Sequence, residues 1–299
     1  MIPIAGSPQK GALMNFLSFF RNDLKRMFTS YGFWFAFVLF SLYNIYHFYQ
    51  ATVLYSASDI YNSIPANMAF TLYYATFGYP TVSMAIILCG LPFSASFVSD
   101  VKCRILPILL TKFTRIQYLT SHILTVFIGS FLAVILPLLL NQALCLSCFE
   151  FKAVIDNFYL GPSNYNIFDD AAVTIFPKLF VFHPYLYNLL FSFLLAVTCS
   201  FLGVLGFAFT LFFNRFRVVA IAIPYVFFIL TSLFDSLARI GEITPFSNKP
   251  TFSLSIFLTG ASSGLKNTGY IFIIELTAIV VFTISAMIRF CRNNDRLHI

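Results

Sequence analysis

Six long intervals of this chain hold no Asp, Glu, Lys or Arg, or only one, and nothing else in the sequence constrains the fold as tightly. Each such charge at the centre of a membrane helix costs about 2.5–3.5 kcal/mol, so intervals without them mark segments able to cross a bilayer. They run Met27–Ser58, Ile60–Ser99, Ile116–Phe149, Leu179–Asn214, Val218–Phe234 and Asn267–Ile288, the last interrupted only by Glu275. A crossing needs roughly 20 apolar residues. Asn62, Ser63, Pro65 and Asn67 make the start of the second interval a poor span, which places its crossing at 72–97. The sequence therefore predicts an all-α membrane protein with six transmembrane helices near 32–51, 72–97, 118–141, 184–212, 218–237 and 270–290. Residues 1–31 form a cytoplasmic N-terminal segment and 291–299 a short tail. Of the 299 residues, 59% are hydrophobic and 10% charged, with 40 Phe and a mean hydropathy of +0.85. No single core of this length hides so much apolar area from water, which excludes a soluble enzyme.

Charge distribution sets the orientation. With six spans both termini share a side, and that side carries 13 of the 18 Lys and Arg. The positive-inside rule then puts both termini in the cytoplasm of a multi-pass cell-membrane protein. The net charge of +7 is on this reading a topology signal, with anionic lipid headgroups as its secondary partner and no nucleic acid. Met1-Ile2-Pro3 does not open a cleavable signal peptide, so the first span is expected to be retained.

Two cytoplasmic segments have more apolar content than solvated turns need. In the first, Leu13, Phe16, Leu17, Phe20, Leu24 and Met27 recur at helical spacing, and Asn15, Arg21, Asn22, Lys25 and Arg26 avoid that stripe. It reads as a helix lying in the membrane interface, either an anchor for the first span or a moving part. The second, 100–118, mixes Asp100, Lys102, Arg104, Lys112 and Arg115 with Ile105, Leu106, Ile108, Leu109 and Leu110. It is either a partner-docking helix with a basic rim or a positive-inside anchor. Outside, Thr251–Gly260 is apolar but too short to cross, and Gly260 and Gly264 suit a tight reversal, so a re-entrant or interfacial segment is expected there.

Together these features resemble the permease subunit of type-2 ABC exporters over nearly the whole length. Members typically begin with an interfacial elbow helix, here matched by Leu13–Phe28 with Phe16, Phe20 and Leu24. They carry an acidic residue after the second span, then a coupling helix and a basic residue before the third; Asp100, Ile105–Leu110 and Arg115 look like these. Small re-entrant helices before the last span are similar to Thr251–Gly264. Three positions depart from the pattern: Cys103 and Arg104 stand where a glycine often follows the acid, Pro107 sits inside the presumed coupling helix, and His122 replaces a common Lys. The resemblance implies a second permease subunit, identical or closely related, and a separate ATPase subunit that binds ATP and Mg. It implies ATPase coupling through Asp100, Lys102, Arg104, Ile105, Leu109, Lys112 and Arg115. This chain has no G-x-x-x-x-G-K-[ST] phosphate loop and needs no cofactor of its own. The cargo would be apolar or amphipathic: a peptide, lipid or drug.

Other chemistry is sparse. Glu275 is the acidic residue deep in a span, and it serves substrate contact, a proton relay or a bond to a neighbouring helix. A proton-coupled secondary transporter centred on Glu275 is therefore the second hypothesis. A membrane-embedded enzyme is the third, with no nucleophile–base constellation behind it. His47, His122, His183 and His298 have no metal-ligand spacing, and adjacent Asp169 and Asp170 point apart on an extended segment. Cys145 and Cys148 form one C-x-x-C at the outer end of the third span, either a disulfide or, more simply, small apolar helix residues. Gly203 and Gly206 lie three apart, which is not the G-x-x-x-G spacing, and as small residues allow close helix contact.

Overall fold

The computed structural model describes residues 8–56, 66–71, 79–149, 179, 182–213, 216–238 and 268–292. Those residues form an all-helical membrane protein. Its helices are α1 (Pro8–Phe28), α2 (Tyr31–Ser56), α3 (Ala66–Thr71), α4 (Tyr79–Cys89), α5 (Ser96–Lys102), α6 (Leu106–Lys112), α7 (Arg115–Cys148), α8 (Pro184–Thr210), α9 (Arg217–Ala238) and α10 (Thr268–Arg292). Three of them, α7, α8 and α10, are long and apolar enough to cross a membrane, or four crossings if the bent α1–α2 pair counts as one. The apolar parts of α4 and α9 are shorter. The expected re-entrant segment 251–264, the loop holding Asp169 and Asp170, and the 291–299 tail beyond Arg292 lie outside the described residues.

α7 is the axis of the molecule. Its 34 residues span about 51 Å at 1.5 Å per residue, and α1, α2, α3, α4, α6, α8 and α10 all pack on it. The helix starts sharply because Thr114 and Gln117 form a reciprocal cap: the Thr114 hydroxyl accepts from the Gln117 amide at 3.3 Å, and the Gln117 side chain accepts from the Thr114 amide at 3.1 Å. Small residues let neighbours approach. A side chain at Gly206 of α8 would strike the Ala220 carbonyl of α9, and one at Gly203 would strike the Ser130 hydroxyl of α7. Both glycines singled out in the sequence thus sit at close helix crossings.

The segment expected as one span over 72–97 is interrupted. α4 ends at Cys89, and Gly90–Ala95 is irregular before α5 begins at Ser96. Pro92 cannot donate to a helix ladder, Phe93 has φ of 61°, and a Cβ on Gly90 would lie 2.8 Å from the Ala220 carbonyl oxygen. The Cys89 carbonyl at the end of α4 accepts from the Ser130 hydroxyl at 2.8 Å, and the Ser94 hydroxyl ties the break to α8 by donating to the Gly203 carbonyl at 3.2 Å. Beyond the break, α5 packs on α8 and α6 on α7.

α1 meets α2 at 53°. Its buried line is Phe19, Asp23 and Met27, with Phe16, Phe20 and Leu24 half-buried beside it and Leu17 exposed. The inward face is therefore rotated from the apolar stripe, because a buried carboxylate rather than Leu17 faces α7. Cys145 and Cys148 are free thiols on successive turns of α7, the first buried and the second exposed.

Candidate functional site

Where α1, the Gly90–Ala95 break, α5 and α7 converge, an ionic cluster is buried. Asp23 and Asp100 are both fully inaccessible to solvent. Arg26, one helical turn after Asp23, donates from Nη2 to Asp100 Oδ1 at 2.6 Å, and its Nη1 lies 3.5 Å from Asp23 Oδ1. Its guanidinium carbon sits 5.6 Å from the Phe93 ring centroid, an attractive position for a cation. Each carboxylate takes one further bond from α7: Tyr118 Oη donates to Asp100 Oδ2 at 2.9 Å, and Ser121 Oγ donates to Asp23 Oδ2 at 2.6 Å. These bonds offset part of the desolvation cost of two buried charges.

His122 lies one turn beyond Tyr118 and is fully buried. Its ring is sandwiched between Phe93 at 5.3 Å and 11° and Phe207 of α8 at 5.9 Å and 7°. Nδ1 is 2.9 Å from Ser96 Oγ. Nε2 faces Asp100 Oδ2 at 3.5 Å and Asp23 Oδ2 at 3.8 Å, with no hydrogen-bond partner. Burial pushes the Asp23 carboxyl up to about 6, against the lowering effect of the Ser121 hydroxyl and Arg26. Among the described residues no set of three or more His, Cys, Asp or Glu is arranged to hold a metal ion.

The expected coupling residues divide into two groups. Asp100 is an internal anchor, joining α5 to α1 through Arg26 and to α7 through Tyr118. Arg115 reaches across to the Cys291 carbonyl at 3.4 Å, near the end of α10, where helix carbonyls lack internal partners. Lys102, Arg104, Ile105 and Lys112 are exposed and Leu109 half-exposed. Leu106 alone of α6 is buried, while Ile108 is 59% exposed. Pro107 falls in the first turn of α6, where a missing amide costs nothing. Arg104 has φ of 55°, the left-handed conformation that glycine favours. Pro107 therefore does not interrupt α6, and Arg104 adopts a backbone conformation that glycine favours.

Glu275 lies far along α10 from this cluster. Its Oε2 is buried without a hydrogen-bond partner. Ala278, Ile279 and Phe282, on the same face one and two turns along, line an apolar cavity of about 350 Å³ with Leu205 and Phe209 of α8 and Ile223, Val226, Phe227 and Leu230 of α9.

Sequence reading missed Asp23, Arg26, Tyr118, Ser121 and His122 as members of a site. Asp23 and Arg26 read as cytoplasmic charges, and His122 only as a departure from a pattern. One signal was present: an ionisable ring inside a span, beside Ser121, is by default functional. No family model, no curated protein and no solved structure matches the chain.

Proposed function

We propose that the chain is the permease subunit of an ATP-driven ABC exporter. On this reading it crosses the cell membrane six times with both termini in the cytoplasm and pairs with itself or a close relative. ATP and Mg bind a separate ATPase subunit, and the cargo is apolar or amphipathic. The observation that carries this reading is α6. It is a seven-residue helix that exposes Ile108 at its surface, with exposed Ile105 before it, framed by Lys102, Arg104 and Lys112. An isolated helix of this length is unstable in water, yet this one is held by buried Leu106 and by the Asp100–Arg26–Tyr118 bonds of the preceding α5. Such a handle suits transmission: force applied to α6 passes to α1 and α7 through side-chain bonds rather than through a slack loop.

The test is co-purification in mild detergent followed by an ATPase assay. Wild-type chain should bring down an ATP-hydrolysing subunit, and Ile108→Asp should lose it while still inserting and folding. Equal ATPase recovery with both chains would remove α6 as the docking element. A proton-coupled carrier is the second reading, favoured by Glu275 Oε2, which is buried without a hydrogen-bond partner one helical turn from Ala278 and Ile279 of the apolar cavity. Glu275→Gln retains shape and hydrogen-bonding capacity. ATP-driven transport should survive it, whereas a carrier would lose its response to a pH gradient.

A further inference from the structure

We propose that Asp23, Asp100 and His122 form a binding site for one exchangeable proton, shared between His122 Nε2 and the facing carboxylate oxygens, whose release loosens α1 from α7. The site does not depend on the exporter reading.

Charge arithmetic supplies the first argument. Two fully buried carboxylates share one guanidinium, so with a neutral imidazole the cluster carries one uncompensated negative charge, and one bound proton brings it to zero. An uncompensated buried charge is costly, and taking up a proton is the usual remedy. Geometry supplies the second. His122 Nε2 is buried, has no hydrogen-bond partner and stands within 3.8 Å of both Oδ2 atoms. The two stacked rings and Ser96 fix the imidazole in that orientation. Whichever tautomer Ser96 selects, Nε2 faces both Oδ2 atoms at 3.5 and 3.8 Å without a hydrogen bond to either, so the gap between them is where the proton is taken up. Asp23 Oδ1 is likewise buried without a hydrogen-bond partner.

The groups facing the ring are known from each element packed on it. α1 contributes Asp23 and Arg26 with the Phe19 ring, and α5 contributes Asp100 and the Ser96 hydroxyl. α7 itself contributes Tyr118, the break contributes Phe93, and α8 contributes Phe207. No second buried cation stands among them to replace the proton. Exchange with water runs past Arg26, whose side chain is 41% exposed. Binding transfers a proton from water to the cluster and breaks no other covalent bond. The raised Asp23 carboxyl, at about 6, agrees with this. A group held above its unfolded value near 3.8 contributes stability that is complete at low pH and is lost as pH rises through about 6.

The test is thermal unfolding of the purified full chain in lipid nanodiscs from pH 4 to 8. The wild-type midpoint temperature should fall with rising pH relative to Asp23→Asn, as a one-proton curve complete near pH 7, and His122→Asn should displace that curve toward lower pH. Parallel wild-type and Asp23→Asn profiles would overturn the proposal and leave Asp23 as a plain acceptor for Ser121. If Asp23→Asn does not fold, the ring carbon signals of His122 decide, read in a chain carrying His47→Gln, His183→Gln and His298→Gln. They should shift with the same midpoint; signals constant from pH 4 to 8 would overturn it.

Discussion

Among the described residues Arg26 is the one Lys or Arg paired with Asp23 and Asp100, whose side chains are 1% exposed, and Arg26→Gln removes it. Breaking a buried ion pair by deleting one partner typically costs about 3–5 kcal/mol, because the remaining charge is left uncompensated. Arg26 itself is 41% exposed, so water will enter part of the vacated volume and screen the carboxylates. The expected loss at pH 7.5 is therefore about 2–3 kcal/mol, part of the strain being relieved as Asp23, freed from the lowering effect of Arg26, takes up a proton more readily. Asp100→Asn keeps an acceptor for Tyr118 and loses only the charge-assisted 2.6 Å bond, a cost of about 1.5–3 kcal/mol. In the double variant neither an unpaired Asp100 nor an unpaired Arg26 exists, so its loss should fall short of the sum of the singles by about 1–2 kcal/mol. The assay is reversible unfolding in mixed micelles on titration with a denaturing detergent, with exposed Lys25→Gln as a control expected within about 0.5 kcal/mol of wild type. Additive single losses, or an Arg26→Gln chain no weaker than the control, would refute the buried cluster as the bond between α1 and α5.

Three further changes probe the framework around it. Thr114→Ala removes half of the reciprocal cap of α7 and should cost about 1 kcal/mol in the same titration. Arg104→Gly relieves a left-handed backbone and should stabilise the chain by up to about 1 kcal/mol; a loss of stability would mean that the Arg104 side chain contributes more than the strain. Gly206→Ala places a methyl group against the Ala220 carbonyl and within 3.3 Å of Pro224 Cγ, forcing α8 and α9 apart at about 1–3 kcal/mol. A crosslink between cysteines placed on those two helices should then form more slowly than in the Gly206 chain.

Charge-free intervals located α2, α7, α8, α9 and α10 within a few residues at most ends, because the cost of a buried charge acts locally and is written in composition. They failed over 72–97: an apolar run looks the same whether helical throughout or broken, and the interruption depends on how closely Gly90 and Phe93 pack on α9 and α7. The buried cluster was harder still to read. Asp100 meets Arg26 from 74 residues away, and Asp23 meets Ser121 from 98, so neither burial nor pairing leaves a local trace. On α1 the apolar stripe predicted a helix correctly but not its inward face, since a paired carboxylate took a position that hydropathy assigns to water. Pro107 shows the converse: the expected start at Ile105 is within one residue of the observed Leu106, but the pattern makes the proline internal although it falls in the first turn, where it is tolerated.

If α6 delivers force from an ATPase to the bundle, photocrosslinking in intact cells should capture that contact. A photoreactive residue at Ile108, exposed on α6, should form an adduct with a protein that carries a G-x-x-x-x-G-K-[ST] phosphate loop. The same residue at Leu124, exposed on the span of α7, should not. Adducts at Ile108 confined to lipid, or to proteins without a phosphate loop, would contradict the account.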